Sequence, residues 1–357
     1  MNERSGQRTR LGRWDPLTVG IDIGGTKVLA GVVDPSGRVL SRERRVTPGR
    51  DPEAVEDTIV DLVSLFATEH SVAAVGIGAA GFVDASRARV MFAPHLNWRD
   101  EPLRDKVARR VRLPVVVDND ANAAAHAESR FGAGTGHRLV LCVTLGTGIG
   151  GALVIDQRVF RGSNGMAGEF GHMQVVPDGH RCPCGNRGCW EQYASGDALV
   201  RDARELVEAE SPLAHRLRQI VQGDATKLTG PQVTRAAMDG DPLAIQLLGE
   251  IGTWLGVGLA GMAAAIDPDC IVVGGGVSAA GDLLLEPTRL AFSRCLVGRG
   301  YRQEPPILEA ALGRDASFIG AADMARSAAR RSRRIRRRGR TREAVSGRRK
   351  LRSFTEE

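Results

Sequence analysis

One device occurs twice in the chain, and it limits what the chain can fold into more than anything else in the sequence. Residues 19–40 read VGIDIGGTKVLAGVVDPSGRVL and residues 139–160 read LVLCVTLGTGIGGALVIDQRVF. Each is an apolar strand, a glycine-rich turn, a second apolar strand and a short third one. A glycine turn closing a β-hairpin brings backbone N–H groups close enough to cradle an anion. Used twice, it predicts two similar α/β domains facing one another across a cleft, each offering such a turn to phosphate.

The pattern around the first copy reads β-β-β-α-β-α-β. Strands over Leu17–Ile23, Val28–Val33 and Arg38–Val46 precede a helix over Asp51–Glu69 and a strand over Val72–Ile77. A helix over Glu101–Arg110, a strand over Leu113–Val117 and an alanine-rich helix over Asp120–Phe131 follow. That order is not a dinucleotide-binding βαβ unit. The second glycine turn also lacks the long helix and the later acid that such a unit needs. After the second copy come a cysteine segment, several helices between Ser195 and Ile266, a strand over Cys270–Val273 followed by three glycines, and a helix over Ala280–Cys295. A last helix over Ala316–Ala328 is expected to return to the first domain. The predicted division is therefore a basic disordered start (1–16), a small first domain (17–125, joined by a helix at about 315–328), a larger second domain (126–314) and a basic disordered tail (329–357).

Charge supports the separation of the tail. The 357 residues carry a net +7, yet Arg326 to Arg352 hold fourteen Lys/Arg against one acid. With Glu356 and Glu357 the end of the chain stands at +11, so everything before it sums to −4. Basicity belongs to an appendage, and nucleic-acid or polyanion contact by that tail ranks behind a solvated, disordered segment. The first residues have no apolar core of a secretory signal, and the run Thr253–Ile266 is too short to span a bilayer and reads as a buried helix. A cytoplasmic protein without membrane contact is expected. In a reducing compartment a cysteine cluster points to metal rather than to disulfides. Cys142, Cys270 and Cys295 sit among apolar residues and read as core.

Five segments carry chemistry. In Asp22-Ile23-Gly24-Gly25-Thr26-Lys27 the turn offers amides and the Thr26 hydroxyl to phosphate, and Asp22 can orient a hydrated Mg²⁺, although the same residues would serve an ordinary hairpin turn. Thr147 and Gly148 mark the matching turn, and Gly274, Gly275 and Gly276 offer flat backbone against a nucleotide or simply a tight strand-to-helix turn. Asp118-Asn119-Asp120 stands at a strand end and helix start. One side chain there suffices for a cap, so Asn119 and Asp120 are left to line a cleft, where a carboxylate could accept the proton of an alcohol attacking phosphorus. Last, Gly168-Glu169-Phe170-Gly171-His172 precedes Cys182, Cys184 and Cys189. Three thiolates ask for a fourth ligand around zinc, and His172 and His180 are both candidates. A nucleic-acid zinc finger would need a second Cys/His pair on a helix, which is missing.

With these motifs in order, the chain from about Leu17 to about Ala328 resembles the ROK family of bacterial sugar kinases, and within it the glucokinases. The resemblance rests on DIGGTK (22–27), NDANAA (119–124), LGTGIGG (145–151) and GEFGH with CPCGNRGCWE (168–172 and 182–191). It implies an actin/hexokinase-like fold, two ribonuclease H-like domains closing over sugar and MgATP. It implies Asp120 as the base for the sugar 6-hydroxyl, with Asn119, Glu169, His172 and Glu191 on the other hydroxyls. Gly24, Gly25, Thr26, Thr147 and Gly148 would meet phosphates and Gly274, Gly275 and Gly276 the adenosine. A structural zinc would be held by His172, Cys182, Cys184 and Cys189. It further implies ATP-dependent phosphorylation of glucose by a dimer or tetramer. The rivals are N-acetylmannosamine, fructose or allose as acceptor, polyphosphate as donor, and a non-catalytic sugar sensor. Family members that act as repressors carry a long N-terminal DNA-binding segment, and only sixteen residues precede Leu17, so a kinase is expected. His95 stands where the family often has Asn, a departure on the sugar side.

Overall fold

The computed structural model describes residues 15–333 except 50, 94, 95 and 332. His95 and nearly all of the basic tail therefore lie outside the described residues. The chain opens with β1 (Leu17–Ile23), β2 (Lys27–Val33) and β3 (Val39–Val46), an antiparallel meander, then α1 (Pro52–Glu69) and β4 (Val72–Ala79). A small sheet follows that the sequence pattern did not announce: β5 (Phe82–Val83), β6 (Val90–Ala93) and β7 (Trp98–Glu101). Strands of two to four residues are too short for a period-2 signal. Next come α2 (Leu103–Val111), β8 (Val115–Asn119) and α3 (Asp120–Phe131). Helix α2 starts later than the sequence pattern placed it, because Glu101 is still paired in β7 and Pro102 is the N-cap.

The second half repeats the plan with β9 (Leu139–Leu145), β10 (Ile149–Ile155) and β11 (Arg158–Phe160). Helices α4 (Glu191–Ala194), α5 (Gly196–Glu208), α6 (His215–Ile220), α7 (Gly230–Met238) and α8 (Pro242–Ile266) follow. Then come β12 (Cys270–Gly274), α9 (Asp282–Cys295), β13 (Ile307–Glu309) and a last helix, α10, over 316–331. The two main sheets have the orders β3-β2-β1-β4-β8 and β11-β10-β9-β12-β13. In each, an antiparallel hairpin set adjoins two strands that run parallel to the first. The duplicated hairpin of the sequence is thus the first part of a duplicated sheet. Among the described residues, α8 is the one helix both long and apolar enough to cross a membrane, and it is packed in the core against α9.

The last helix packs against the first sheet. Gly20 and Gly76 pair in register on β1 and β4. A Cβ on Gly20 would stand 1.8 Å from the Phe318 carbonyl oxygen, and one on Gly76 1.8 Å from that of Ala321. Only bare backbone lets the helix lie this close. Thr18 Oγ1 donates to the Ala322 carbonyl at 2.9 Å. Arg326, which the charge count assigned to the tail, is fully buried. Its guanidinium donates to the carbonyls of Pro16 and Val33, to Thr18 and to Asp323. The helix also runs past Ala328, through 331. Cys142 and Cys270 are core, whereas Cys295 is exposed, because it is the final residue of α9 on the outward face.

Candidate active site

The base expected from the sequence sits where β8 becomes α3. Asn119 is the N-cap: its Oδ1 accepts from the Asn122 amide at 3.1 Å. Its other end is also used, since Nδ2 donates to Asp120 Oδ1 at 3.0 Å and to the Gly81 carbonyl at 3.1 Å. One side chain thus caps the helix and orients the carboxylate beside it. Burial pushes the Asp120 carboxyl above its ordinary range, while the Ala121 amide and Asn119 pull it back.

Asp22, at the end of β1, faces the same space. Ser317 Oγ donates to Asp22 Oδ1 at 2.7 Å. A Cβ on Gly78, between them on β4, would stand 2.7 Å from Ser317 Oγ and 3.5 Å from Asp120 Cα, so bare backbone there lets the groups converge. The carboxyl of Asp22 opens toward the cleft yet is surrounded by protein. Burial, and then repulsion from Asp120, push it up to about 7, against Ser317 and Lys27. A cleft of about 160 Å³ is lined by Asp22, Asp120, Thr144, Gly274, Gly275 and Ser317 among others, and so lies between the two sheets.

The glycine turns form its walls. The Gly24 amide donates to the Lys27 carbonyl at 3.0 Å, closing the first hairpin with Gly25 and Thr26 exposed at its tip. In the second, Gly146 and Thr147 are exposed and Gly148 is half-buried. Gly275, at φ +96°, would drive a Cβ to 2.2 Å from the Leu145 carbonyl oxygen. The turn after β12 is therefore locked against the turn after β9. A second cavity of about 420 Å³ opens next to it, with Gly146, Thr147, Gly276, Thr234 and Met238 in its wall, and Arg314 lines both cavities. Arg314, Ser317 and Thr234 were missed in the sequence, since no motif marks them and only the returning chain brings them in.

Glu169, His172 and Glu191 come from the cysteine segment. Glu169 stands exposed on a loop that ends in a short turn of helix over Phe170–His172. Surrounding protein raises its carboxyl, His172 opposes, and Asp120 and Glu191 raise it further, so the three carboxylates face a common space. Its exposure leaves solvent to screen that effect. Glu191 Oε2 lies 2.6 Å from where a Cβ on Gly148 would be, so the cysteine segment abuts the second glycine turn.

The four expected metal ligands are together. His172, Cys182, Cys184 and Cys189 bring their ligand atoms within 4.8 Å of one another. Tetrahedral zinc, with bonds of about 2.3 Å to sulfur and about 2.0 Å to nitrogen, sets sulfurs about 3.8 Å apart and sulfur about 3.5 Å from nitrogen. Cys184 and Cys189 Sγ are 3.7 Å apart, and Cys182 Sγ is 3.6 Å from His172 Nδ1. The residues fit zinc. His180 points elsewhere, its ring 5.1 Å from that of Tyr193. Backbone holds the knuckle as well: the Cys182 amide donates to the Asn186 carbonyl and the Gly188 amide to that of His180. Buried Trp190 anchors it to α8 through an indole N–H donated to the Trp254 carbonyl at 2.8 Å.

Two sheets of one topology, with paired glycine turns around a cleft, define an α/β protein of the actin/hexokinase-like class. Residues 18–328 match the ROK family, and the chain belongs to it. It is 49% identical over 310 residues to a glucokinase of Streptomyces coelicolor, a match covering 87% of this chain and 98% of the relative. A solved ROK glucokinase from Streptomyces griseus, in complex with glucose and AMPPNP, is 51% identical with a TM-score of 0.81, covering 87% and 99% of the two chains. A ROK hexokinase from Thermus thermophilus is 34% identical with a TM-score of 0.70, covering 87% and 97%.

Proposed function

We propose that the protein is a glucokinase, transferring the γ-phosphoryl group of ATP to the 6-hydroxyl of glucose. The observation that carries this reading is Asp120, a carboxylate fixed by Asn119 and aimed into the cleft between the glycine turns. The likeness to a solved glucokinase holding glucose and an ATP analogue supports the same pair of substrates.

In this reading glucose lies against Asn119, Asp120, Glu169, His172 and Glu191. Asp120 accepts the 6-hydroxyl proton as the oxygen bonds to phosphorus, late enough that a strongly basic carboxylate is not needed. Gly24, Gly25, Thr26 and Lys27 on one side and Thr147 and Gly148 on the other receive the phosphates, and Gly274, Gly275 and Gly276 the adenosine. Asp22 is suited to hold the water shell of a Mg²⁺ ion, whose charge would bring its carboxyl back to the ionised form. Positioning and neutralisation of charge provide most of the rate. Zinc at His172, Cys182, Cys184 and Cys189 would brace both ends of the segment that presents Glu169 and Glu191, with no open position for catalysis. We also propose a dimeric or tetrameric enzyme of the cytoplasm.

A coupled assay of ADP release against glucose, N-acetylmannosamine, fructose and allose, with ATP or polyphosphate as donor, tests the reading. Turnover with glucose and ATP at the highest kcat/KM is expected. A higher value for another sugar or for polyphosphate moves the protein to that activity. Absence of turnover with all of them would favour a sugar sensor.

A further inference from the structure

A third cavity with strong chemistry lies on the other side of the β8–α3 junction from the cleft. It measures about 680 Å³, the size of a small-molecule site, and six arginines line it: Arg87, Arg130, Arg158, Arg161, Arg330 and Arg331. Asp120 faces the catalytic cleft, while Asp118, two residues earlier, anchors the wall of this other cavity.

The charges there do not balance. Buried Asp118 takes two guanidiniums where one would neutralise it: Arg161 Nη2 at 2.6 Å and Arg87 Nε at 3.0 Å. Asp323 likewise faces Arg326 at 2.7 Å and Arg130 at 3.4 Å, with His126 at 2.9 Å. Arg330 pairs with Asp15, and Asp156 is the other acid of the wall. Among the described residues, the six guanidiniums of the wall face four carboxylates, Asp15, Asp118, Asp156 and Asp323, an excess of two positive charges.

Arg87 is the most telling member. Its backbone is held at φ +59°, a left-handed conformation costly for a side chain of this size. Its Nη2 is buried with no hydrogen-bond partner. Buried orphan donors of this kind are rare and mark a missing acceptor. Burial lowers the guanidinium, Asp118 opposes, and Arg161 and Arg331 lower it again, which records how closely the cations crowd.

We propose that this cavity binds a small, multiply charged phosphate anion, separately from the phosphates of the catalytic cleft. Phosphate oxygens match the guanidinium fork in geometry and supply the acceptors that Asp118 and Asp323 cannot. A cavity of this size suits a phosphate monoester or a diphosphate.

The test is calorimetric titration of the full chain with pyrophosphate and, in a second arm, with glucose 6-phosphate. The cleft is first saturated with glucose and AMPPNP, so that only the other cavity is open. Saturable binding is expected in at least one arm, and the tighter arm names the phosphate class. The double substitution Arg158→Ala, Arg331→Ala, on exposed side chains, should weaken it about tenfold or more without lowering the Tm, and added KCl should weaken it further. Arg87→Lys, which keeps the charge but not the fork, should weaken it as well. No saturable binding in either arm, or binding unchanged by both variants, overturns the proposal. Binding of a 20-nucleotide single strand where both small anions fail would also overturn it, in favour of a nucleic-acid surface.

Discussion

Ser317 donates a 2.7 Å hydrogen bond to Asp22, joining side chains 295 positions apart at the floor of the cleft. One belongs to the first strand and the other to the last helix. The bond therefore ties the proposed metal-orienting carboxylate to the element that closes the first sheet. Its strength does not outweigh burial, which leaves Asp22 titrating at about 7.

That value has a sign. An ordinary aspartate titrates near 3.8, so between there and about 7 the folded protein holds a proton that the unfolded chain does not. Asp22 therefore favours folding at low pH and loses that contribution as pH rises to about 7. Asp22→Asn should raise the Tm at pH 8, by the equivalent of roughly 1–3 kcal/mol after allowing for screening, and change it little at pH 4. A variant with no gain at pH 8 removes the assignment. In the parent enzyme, kcat/KM for ATP should fall below pH 7, and the fall should move to lower pH as Mg²⁺ is raised.

Asp120→Asn keeps the size of the side chain and the α3 N-cap, since Asn119 supplies that cap. The expected loss in kcat is roughly 10²- to 10⁴-fold, with glucose still bound. Steady-state kinetics together with a direct glucose titration checks both halves, and near-normal turnover would sink the role of base.

Removal of the proposed zinc should first be felt by the sugar. Glu191 Oε1 lies 3.2 Å from Cys182 Sγ, so a loosened knuckle displaces a group on the proposed glucose side. Cys184→Ser, or extraction with a chelator, should lower bound zinc and raise KM for glucose by roughly tenfold, with a smaller change in KM for ATP. Metal analysis paired with kinetics decides it: equal KM values for glucose with and without zinc contradict the bracing role.

Gly20→Ala or Gly76→Ala inserts a methyl group into the carbonyl backbone of α10. Each should cost roughly 3 kcal/mol or more and lower the Tm by several degrees. Gly249→Ala is the control. It lies inside α8 with nothing within 4 Å of a new Cβ, so helix propensity alone should leave the Tm unchanged or raise it.

Much of this architecture was legible in the chain. The duplicated hairpin, the long amphipathic helices and the cysteine cluster announce themselves through apolar period, glycine position and ligand spacing. The three short strands between β4 and α2 do not, because each buries too few residues to repeat a pattern. Arg326 looked like part of a basic tail, since charge along a sequence does not reveal that Pro16, Thr18 and Val33 wait with acceptors. In the site, Asp120, Asn119 and the proposed zinc ligands lie inside local motifs, where the sequence singles them out. Ser317, Arg314 and the arginines around Asp118 come from segments far apart in sequence, and only the folded chain shows them as neighbours.

The return of α10 to β1 and β4 also sets an order of events during synthesis. The strands emerge from the ribosome first, yet the groove that Gly20 and Gly76 keep open is filled by residues made some 240 to 300 positions later. Until then only α3 lies over part of that face, and the first sheet is completed after the second. The nascent enzyme therefore exposes an adhesive sheet face for most of its translation, and factors that shelter nascent chains should matter more for its yield than for that of proteins whose domains close in sequence order.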